Sequence, residues 1–292
     1  MELRVLRYFL MAAREENITR AAELLHITQP TLSRQLMQLE EELGTRLFNR
    51  SNHSIQLTED GMLLKRRAQE LVQLADKVER EFQRGEEEIS GNIAIGSGET
   101  SNMQELADMI REFQKKYPLV QYDLYTATAD DIKEKLDKGL LDIGLLTEPV
   151  DIIKYNFIRM KRKETWGVLV RKDSPLAKKH EIHPEDLLDV PVFLAQRELV
   201  KNEIEGWFGD CYEQVHIAGT YNLINNAAVM VRKGIGVAFC FWLQTRFDDL
   251  EYIPISPQIE TGAVIVWKKA QIVSSTMYQF LNFIKAYQKE QE

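Results

Sequence analysis

The sequence predicts an α/β chain in three parts. A winged helix-turn-helix covers residues 1–58, a long linker helix covers 59–88, and a larger domain of alternating strands and helices covers 89–292. Three observations predict it. Apolar residues recur at helical spacing as far as Leu43, then give way to two short extended pieces. One apolar stripe steps by four and three from Leu64 to Phe82. From Ile89 onward, β-rich runs alternate with amphipathic helical runs.

In the first part, Leu3, Leu6, Phe9, Leu10 and Ala13 form one helical face. A polar break at Glu15 to Asn17 precedes a second short helix marked by Ile18, Ala21, Ala22 and Leu25, with Asn17 or Thr19 as its cap. His26 to Thr28 make a tight connection. The third helix starts near Thr28 or Gln29, where Pro30 suits a first turn because the N–H it lacks would have no intrahelical partner there. Leu32, Leu36, Leu39 and Leu43 form its apolar stripe, and Gly44 supplies the left-handed stop. The wing consists of Arg46 to Arg50 and Ile55 to Thr58, joined by the turn-rich Ser51 to Ser54.

The linker helix takes Thr58 as its cap, with Glu59 and Asp60 favouring its positive end. Its stripe of Leu64, Ala68, Leu71, Ala75, Val78 and Phe82 has the spacing of a coiled-coil seam between two chains. A surface helix packed on its own domain is the other reading of the same stripe.

In the third part, strands are expected at Asn92–Gly96, Val120–Thr126, Leu141–Leu146, Trp166–Arg171, Pro191–Ala195, Val215–Ala218, Gly236–Phe241 and Ala263–Lys268. Helices are expected at Met103–Lys116, Asp130–Lys138, Leu199–Phe208, Leu223–Arg232 and Ser274–Lys289. Such alternation implies parallel strands.

Composition narrows the class. The chain has 292 residues, 44% hydrophobic and 28% charged, enough for a sizeable core. Its apolar runs are far shorter than the roughly 20 residues of a membrane span. Arg4 and Arg7 interrupt the N-terminal apolar stretch, so no secretion signal is expected and the cytoplasm is the expected compartment. Two cysteines, Cys211 and Cys240, suit a reducing environment and read as buried, inert thiols. The net charge of −8 gives no basic footprint for nucleic acid, so a DNA claim must rest on the motif.

That motif is a docking arrangement for double-stranded DNA: two short helices, a tight turn and a wing. The second helix of such a pair enters the major groove with its N-terminal residues at the base edges. Here the motif covers about residues 18–37, and the presented residues are Thr28, Gln29, Pro30, Thr31, Ser33 and Arg34. Gln pairs bidentately with adenine and Arg with guanine. Arg50 and His53 fall on or near the wing, while Glu40 to Glu42 lie at the far end of the helix, clear of DNA.

These residues resemble a known family. The run Asn17-Ile-Thr-Arg-Ala-Ala-Glu-Leu-Leu-His-Ile-Thr-Gln-Pro-Thr-Leu-Ser-Arg-Gln-Leu, then Leu39-Glu-Glu-Glu-Leu-Gly-Thr-Arg-Leu-Phe-Asn-Arg, then Leu57-Thr-Glu-Asp-Gly, is similar to the N-terminal signature of LysR-type transcriptional regulators. The likeness is nearly gapless over about sixty residues. Behind it come Gly91-Asn-Ile-Ala-Ile-Gly, Tyr117-Pro118, Leu141-Asp-Ile-Gly-Leu and Gly234-Ile-Gly-Val-Ala, a looser match in the same order. Many members carry arginine on the wing where this chain has His53. The resemblance implies a two-lobed, periplasmic-binding-protein-like effector domain, with lobe I at 91–161 plus 267–292 and lobe II at 162–266. It also implies a sequence-specific regulator that is no enzyme, binds an inverted repeat, and forms homodimers and homotetramers.

Ligands of open α/β sheets bind beyond the carboxyl ends of strands. The first strand ends in Gly96-Ser97-Gly98-Glu99-Thr100-Ser101, opening a helix whose free N–H groups favour an anion. Gly98, Thr100 and Ser101, with Thr128 and Gln196 at other strand ends, are therefore the candidate contacts for a small anionic metabolite. Helix capping by Glu99, Thr100 or Ser101 fits the same residues. No cofactor or metal is expected. Gly96-Ser97-Gly98 matches a dinucleotide-binding turn only in part, since its third glycine position is Ser101. His180 and His183 have metal-like spacing but sit in a polar, Lys-rich loop. Trp207, Phe208, Phe239, Phe241 and Trp242 read as core or cleft wall.

Overall fold

The computed structural model describes residues 1–50, 55–82, 89–243, 247–269 and 273–290. It divides into two compact units, residues 1–84 and 85–292.

In the first unit, α1 (Leu3–Glu15), α2 (Ile18–Leu24) and α3 (Gln29–Leu43) are followed by the antiparallel pair β1 (Phe48–Arg50) and β2 (Ile55–Leu57), then by α4 (Glu59–Phe82). Local chemistry sets the boundaries. The Asn17 side chain accepts from the Arg20 N–H and starts α2. Thr28 does the same for α3 through the N–H of Thr31, with Pro30 in the first turn. Between them His26 takes a left-handed backbone, φ 55°, which turns the chain sharply. Gly44, φ 67°, ends α3. The core joins Leu6, Phe9, Leu32, Leu36, Leu47, Phe48 and Ile55, with the Phe9 and Phe48 rings 5.3 Å apart. Leu43, the last residue of the apolar stripe of α3, is exposed, whereas Leu32, Leu36 and Leu39 are buried. Gly61 answers a steric demand: a Cβ at this position would stand 2.1 Å from the Leu47 carbonyl oxygen.

The second unit holds two sheets. Lobe I runs through β3 (Gly91–Ser97), α5 (Met103–Lys116), β4 (Val120–Thr126), α6 (Ala129–Asp137), β5 (Ile143–Thr147) and β6 (Tyr155–Arg159). The chain then enters lobe II: β7 (Glu164–Arg171), β8 (Val192–Ala195), α7 (Glu198–Phe208), β9 (Ile217–Tyr221), α8 (Ile224–Arg232), β10 (Val237–Phe241), β11 (Leu250–Pro254) and β12 (Glu260–Thr261). It returns through β13 (Ala263–Lys268) and α9 (Ser275–Glu290). The sheet orders are β4-β3-β5-β13-β6 and β11-β7-β10-β8-β9, with β12 beside β7. Phe113 of α5 and Phe280 of α9 meet on one face of the lobe I sheet, rings 4.9 Å apart. Trp166, Phe239, Trp207 and Ile204 fill the corresponding layer of lobe II.

Three expectations change. The sheets are mixed, not parallel throughout: β13 is antiparallel to β5 and β6, and β7 is antiparallel to β10 and β11. The return to lobe I comes before Ala263, not at residue 267, because all of β13 pairs with lobe I strands. Strands β6, β11 and β12 were not foreseen, and β9 lies at 217–221 instead of 215–218. Strands β6, β9 and β11 end their sheets, so each pairs along one side only and lacks a continuous apolar run.

Candidate functional site

Helix α3 carries the expected residues at its N-terminal end. Thr28, Gln29, Pro30, Thr31 and Arg34 are exposed and Ser33 is half-buried. Their opposite face, Leu32, Leu36 and Leu39, is fixed in the core, which gives the exposed side chains a rigid base. The Thr28 and Thr31 hydroxyls hold each other at 2.8 Å. Arg34 makes no ion pair among the described residues, so its charge stands ready for a partner. The acidic run at the far end has structural work: Glu40 accepts from the N–H groups of Leu47 at 2.8 Å and Phe48 at 3.2 Å, and Glu42 pairs with the N-terminal ammonium at 2.7 Å. Arg50 has a described backbone in β1 but no described side chain, and His53 lies outside the described residues.

The six-residue stripe of α4 separates into two. Ala68 is fully buried and Leu64 half-buried, both in the head's own core, so these two belong to the intramolecular packing. Arg7 of α1 fastens the next stretch through Asp76 at 2.5 Å. Leu71 and Val78 are exposed, at 42% and 44%, and Leu74 stands with them at 38%. Ala75 is half-buried, and the Phe82 side chain lies outside the described set. The unpartnered stripe is thus Leu71, Leu74 and Val78.

Between the lobes of the second unit lies a cavity of about 100 Å³. One buried water needs roughly 10–15 Å³ on this scale, so the space suits a small metabolite. Lobe I contributes Gly98, Glu99 and Thr128; lobe II contributes Gln196, Arg197 and Asn222, with Trp166, Val200 and Phe241 as apolar wall. Gly98, Thr128 and Gln196 thus fall where strand-end reasoning put them. The Thr128 hydroxyl is already engaged, since it donates to Asp131 at 2.6 Å and caps α6.

Thr100 and Ser101 do not line the cavity. They are 7% and 6% exposed, and the anion at the start of α5 is the chain's own Glu164. Its carboxylate accepts from the Thr100 hydroxyl, from the Ser101 hydroxyl at 2.9 Å, from the Asn102 N–H at 3.1 Å and from the Asn102 amide. The helix N-terminus attracts a carboxylate as expected, but an internal one occupies it.

Glu99 and Arg197 are the lining charges that sequence reading missed. Glu99 reaches from lobe I to the start of α8 in lobe II, accepting from the Ile224 N–H and from the Asn225 amide at 2.9 Å. Burial pushes its carboxyl above the ordinary range, and the N–H groups of Ile224 and Asn225 offset part of that. Arg197 of lobe II donates to the carbonyl oxygens of Thr147 and Pro149 in lobe I, at 3.4 and 2.5 Å.

Cys240 is buried beside the cavity, and burial pushes its thiol up to about 12, so it is protonated and unreactive at neutral pH. Cys211 is partly exposed. His183 lies 3.1 Å from Glu181, and no group of three or more potential metal ligands exists among the described residues. Trp207, Phe208 and Phe239 are core; Trp242, at 42% exposed, is neither core nor cavity wall.

A winged helix-turn-helix head and a two-lobed domain with a ligand-sized cavity define a DNA-binding transcription regulator with an effector domain. Residues 3–62 match the model of the bacterial regulatory helix-turn-helix protein, lysR family, and residues 86–289 match the LysR substrate binding domain. The chain belongs to the LysR family. It is 34% identical to the HTH-type transcriptional regulator AlsR of Bacillus subtilis, over 92% of this chain and 91% of that protein. It is 27% identical to the Hca operon transcriptional activator HcaR of Escherichia coli, over 93% of both. The full-length CbnR structure complexed with its target DNA has the same fold, with a TM-score of 0.77 at 20% identity, over 98% of this chain and 99% of that one. No helix among the described residues is long and apolar enough to cross a membrane.

Proposed function

We propose that this regulator acts in the cytoplasm as a homodimer that assembles to a homotetramer, reads an inverted-repeat promoter site, and changes promoter activity when a small metabolite bearing a carboxylate binds between its lobes. The cavity carries the proposal: it draws its lining from both lobes and includes Arg197 as a cationic recognition group. A ligand there touches both lobes at once, so it favours one lobe arrangement over another, as any switching ligand must. The exposed Leu71, Leu74 and Val78 support pairing of two α4 helices, and paired heads favour half-sites spaced by helical turns of DNA. The names of AlsR, HcaR and the CbnR complex support promoter control.

The test is a thermal-shift screen of small carboxylates and matched neutral compounds on the full chain, repeated on Ala195→Trp. Ala195 lines the cavity, and a Trp fills it. At least one carboxylate stabilises the wild type, and its effect disappears in the variant while operator mobility shift persists. A ligand whose binding survives Ala195→Trp puts the effector site elsewhere.

A further inference from the structure

The cavity carries two lining side chains of opposite charge, Glu99 from the end of β3 and Arg197 from the end of β8. Glu99 has no counter-charge among the described residues, and Arg197 has only a long ion pair to the exposed Asp130. The donors to Glu99, the Ile224 N–H and the Asn225 amide, are neutral, and no cation pairs with it among the described residues. The titratable groups that face it are Tyr221 of β9 and Cys240 of β10. Both are neutral: burial lifts the Tyr221 phenol well above its ordinary range and the Cys240 thiol up to about 12. Burial outweighs the donors and raises the Glu99 carboxyl, which marks an anion with too little solvation.

Arg197 is the mirror case. Its side chain is 12% exposed, and its Nε is buried with no hydrogen-bond partner. The nearest carboxylate is Asp130, 3.7 Å from Nε and itself 66% exposed. Burial lowers the guanidinium, while Asp130 and Glu203 raise it. The rest of the wall is largely apolar, including Trp166, Val200, Leu223 and Phe241, so charges within it are weakly screened.

We propose that the effector is a small amino acid, its carboxylate read by Arg197 and its ammonium by Glu99. The proposal rests on the reading of the cavity as the effector site. A simple carboxylate meets Arg197 but adds a second anion to the site of the desolvated Glu99. A simple amine meets Glu99 and leaves the buried Nε of Arg197 without an acceptor. A zwitterion supplies both partners and brings no net charge into the cleft. The pairing also gives specificity, because each unwanted class meets a repulsive or unpaired group.

The experiment is calorimetric titration of the full chain with the coded amino acids, β-alanine and 4-aminobutyrate. Each is set beside its des-amino acid and its decarboxylated amine. At least one amino acid binds about tenfold or more tightly than both its counterparts, and the best spacing of the two charges reports the distance between the recognition groups. Glu99→Gln keeps an acceptor for the Ile224 N–H and removes the charge, so the gap between amino acid and des-amino acid closes. Glu99→Asp keeps the charge and keeps the gap. Arg197→Gln closes the gap to the amine. A des-amino acid that binds the wild type as well as its amino acid overturns the class. If that binding is abolished by Ala195→Trp, the cavity remains the effector site and only the zwitterion is wrong. Absence of binding by every amino acid also overturns the class, and leaves the cavity to be judged by the wider screen.

Discussion

Ser101 donates its hydroxyl to the Glu164 carboxylate at 2.9 Å, across 63 positions of sequence and across the boundary between the lobes. With Thr100 and Asn102 it surrounds a carboxylate that is 1% exposed. Such a group is tolerated in the interior because hydrogen bonds replace its lost hydration. The counterpart contact, Glu99 at the start of α8, runs in the opposite direction, from lobe I to lobe II, and is only part-buried. Each lobe thus places a carboxylate at a helix start of the other.

The first prediction follows from the closed shell around Glu164. Thr100→Val removes a buried donor from that carboxylate and costs about 1–3 kcal/mol of stability. The melting temperature of the effector domain falls, while the effector concentration for half-response stays at the wild-type value. A shifted half-response with unchanged melting would return Thr100 to the ligand site.

The second concerns base reading. Arg34→Ala costs about 1–3 kcal/mol on the cognate site and relaxes preference at one base position. Mobility shifts on a set of operators mutated one base pair at a time measure it. A uniform loss across all sequences would make Arg34 a phosphate contact.

A third separates the two parts of the α4 stripe. Leu71→Asp places a charge on the exposed face and dissociates dimers at micromolar concentration, seen by analytical ultracentrifugation, with the head still folded. Ala68→Asp buries an unpaired charge in the head's core and unfolds the head. If Leu71→Asp remains dimeric, the pairing surface is elsewhere.

The fourth is steric. Gly61→Ala drives a methyl group against the Leu47 carbonyl and the Leu57 side chain, 2.1 and 2.9 Å away. Overpacking of this kind costs about 1–3 kcal/mol. Denaturant unfolding of the full chain shows an earlier transition for the head, and unaltered stability would mean that α4 moves freely at its start.

The fifth concerns pH. The Glu99 carboxyl is raised by burial above its ordinary value of 4.5, so the folded domain binds this proton more tightly than the unfolded chain does. Its contribution to stability is complete below that ordinary value and is lost as pH rises through the raised one. Glu99→Gln carries no such proton. The melting temperature of the wild type, taken relative to Glu99→Gln, therefore declines as pH increases upward from about 4.5. A flat difference across that window would show that Glu99 is solvated.

The head was legible because its signals are local. Asn17, Thr28, Pro30 and Gly44 each set a boundary through chemistry confined to one turn. The strand ends of the effector domain were legible for the same reason, and they led to Gly98, Thr128 and Gln196. Glu164 was not, since a glutamate between Lys163 and Thr165 reads as one more charge in a polar junction. Only the meeting of β7 with the start of α5 buries it. Arg197 lies one residue beyond Gln196, so extending the strand-end rule by one position would have found it. The division of α4 was hidden because a coiled-coil seam and an intramolecular apolar face share one spacing.

The late return of β13 to lobe I bears on how the protein is made. Within the lobe I sheet, β13 joins β5 to β6, and α9 covers the face that carries Phe113. These pieces leave the ribosome last, after all of lobe II. Lobe II can therefore complete its sheet while lobe I still waits for the strand that joins β5 to β6. A chain cut short before Ala263 would carry a finished reading head and a finished second lobe beside a first lobe with β6 unattached and an open apolar face. Such a product would keep the fold of its head, while the open apolar face of lobe I would expose it to aggregation and proteolysis.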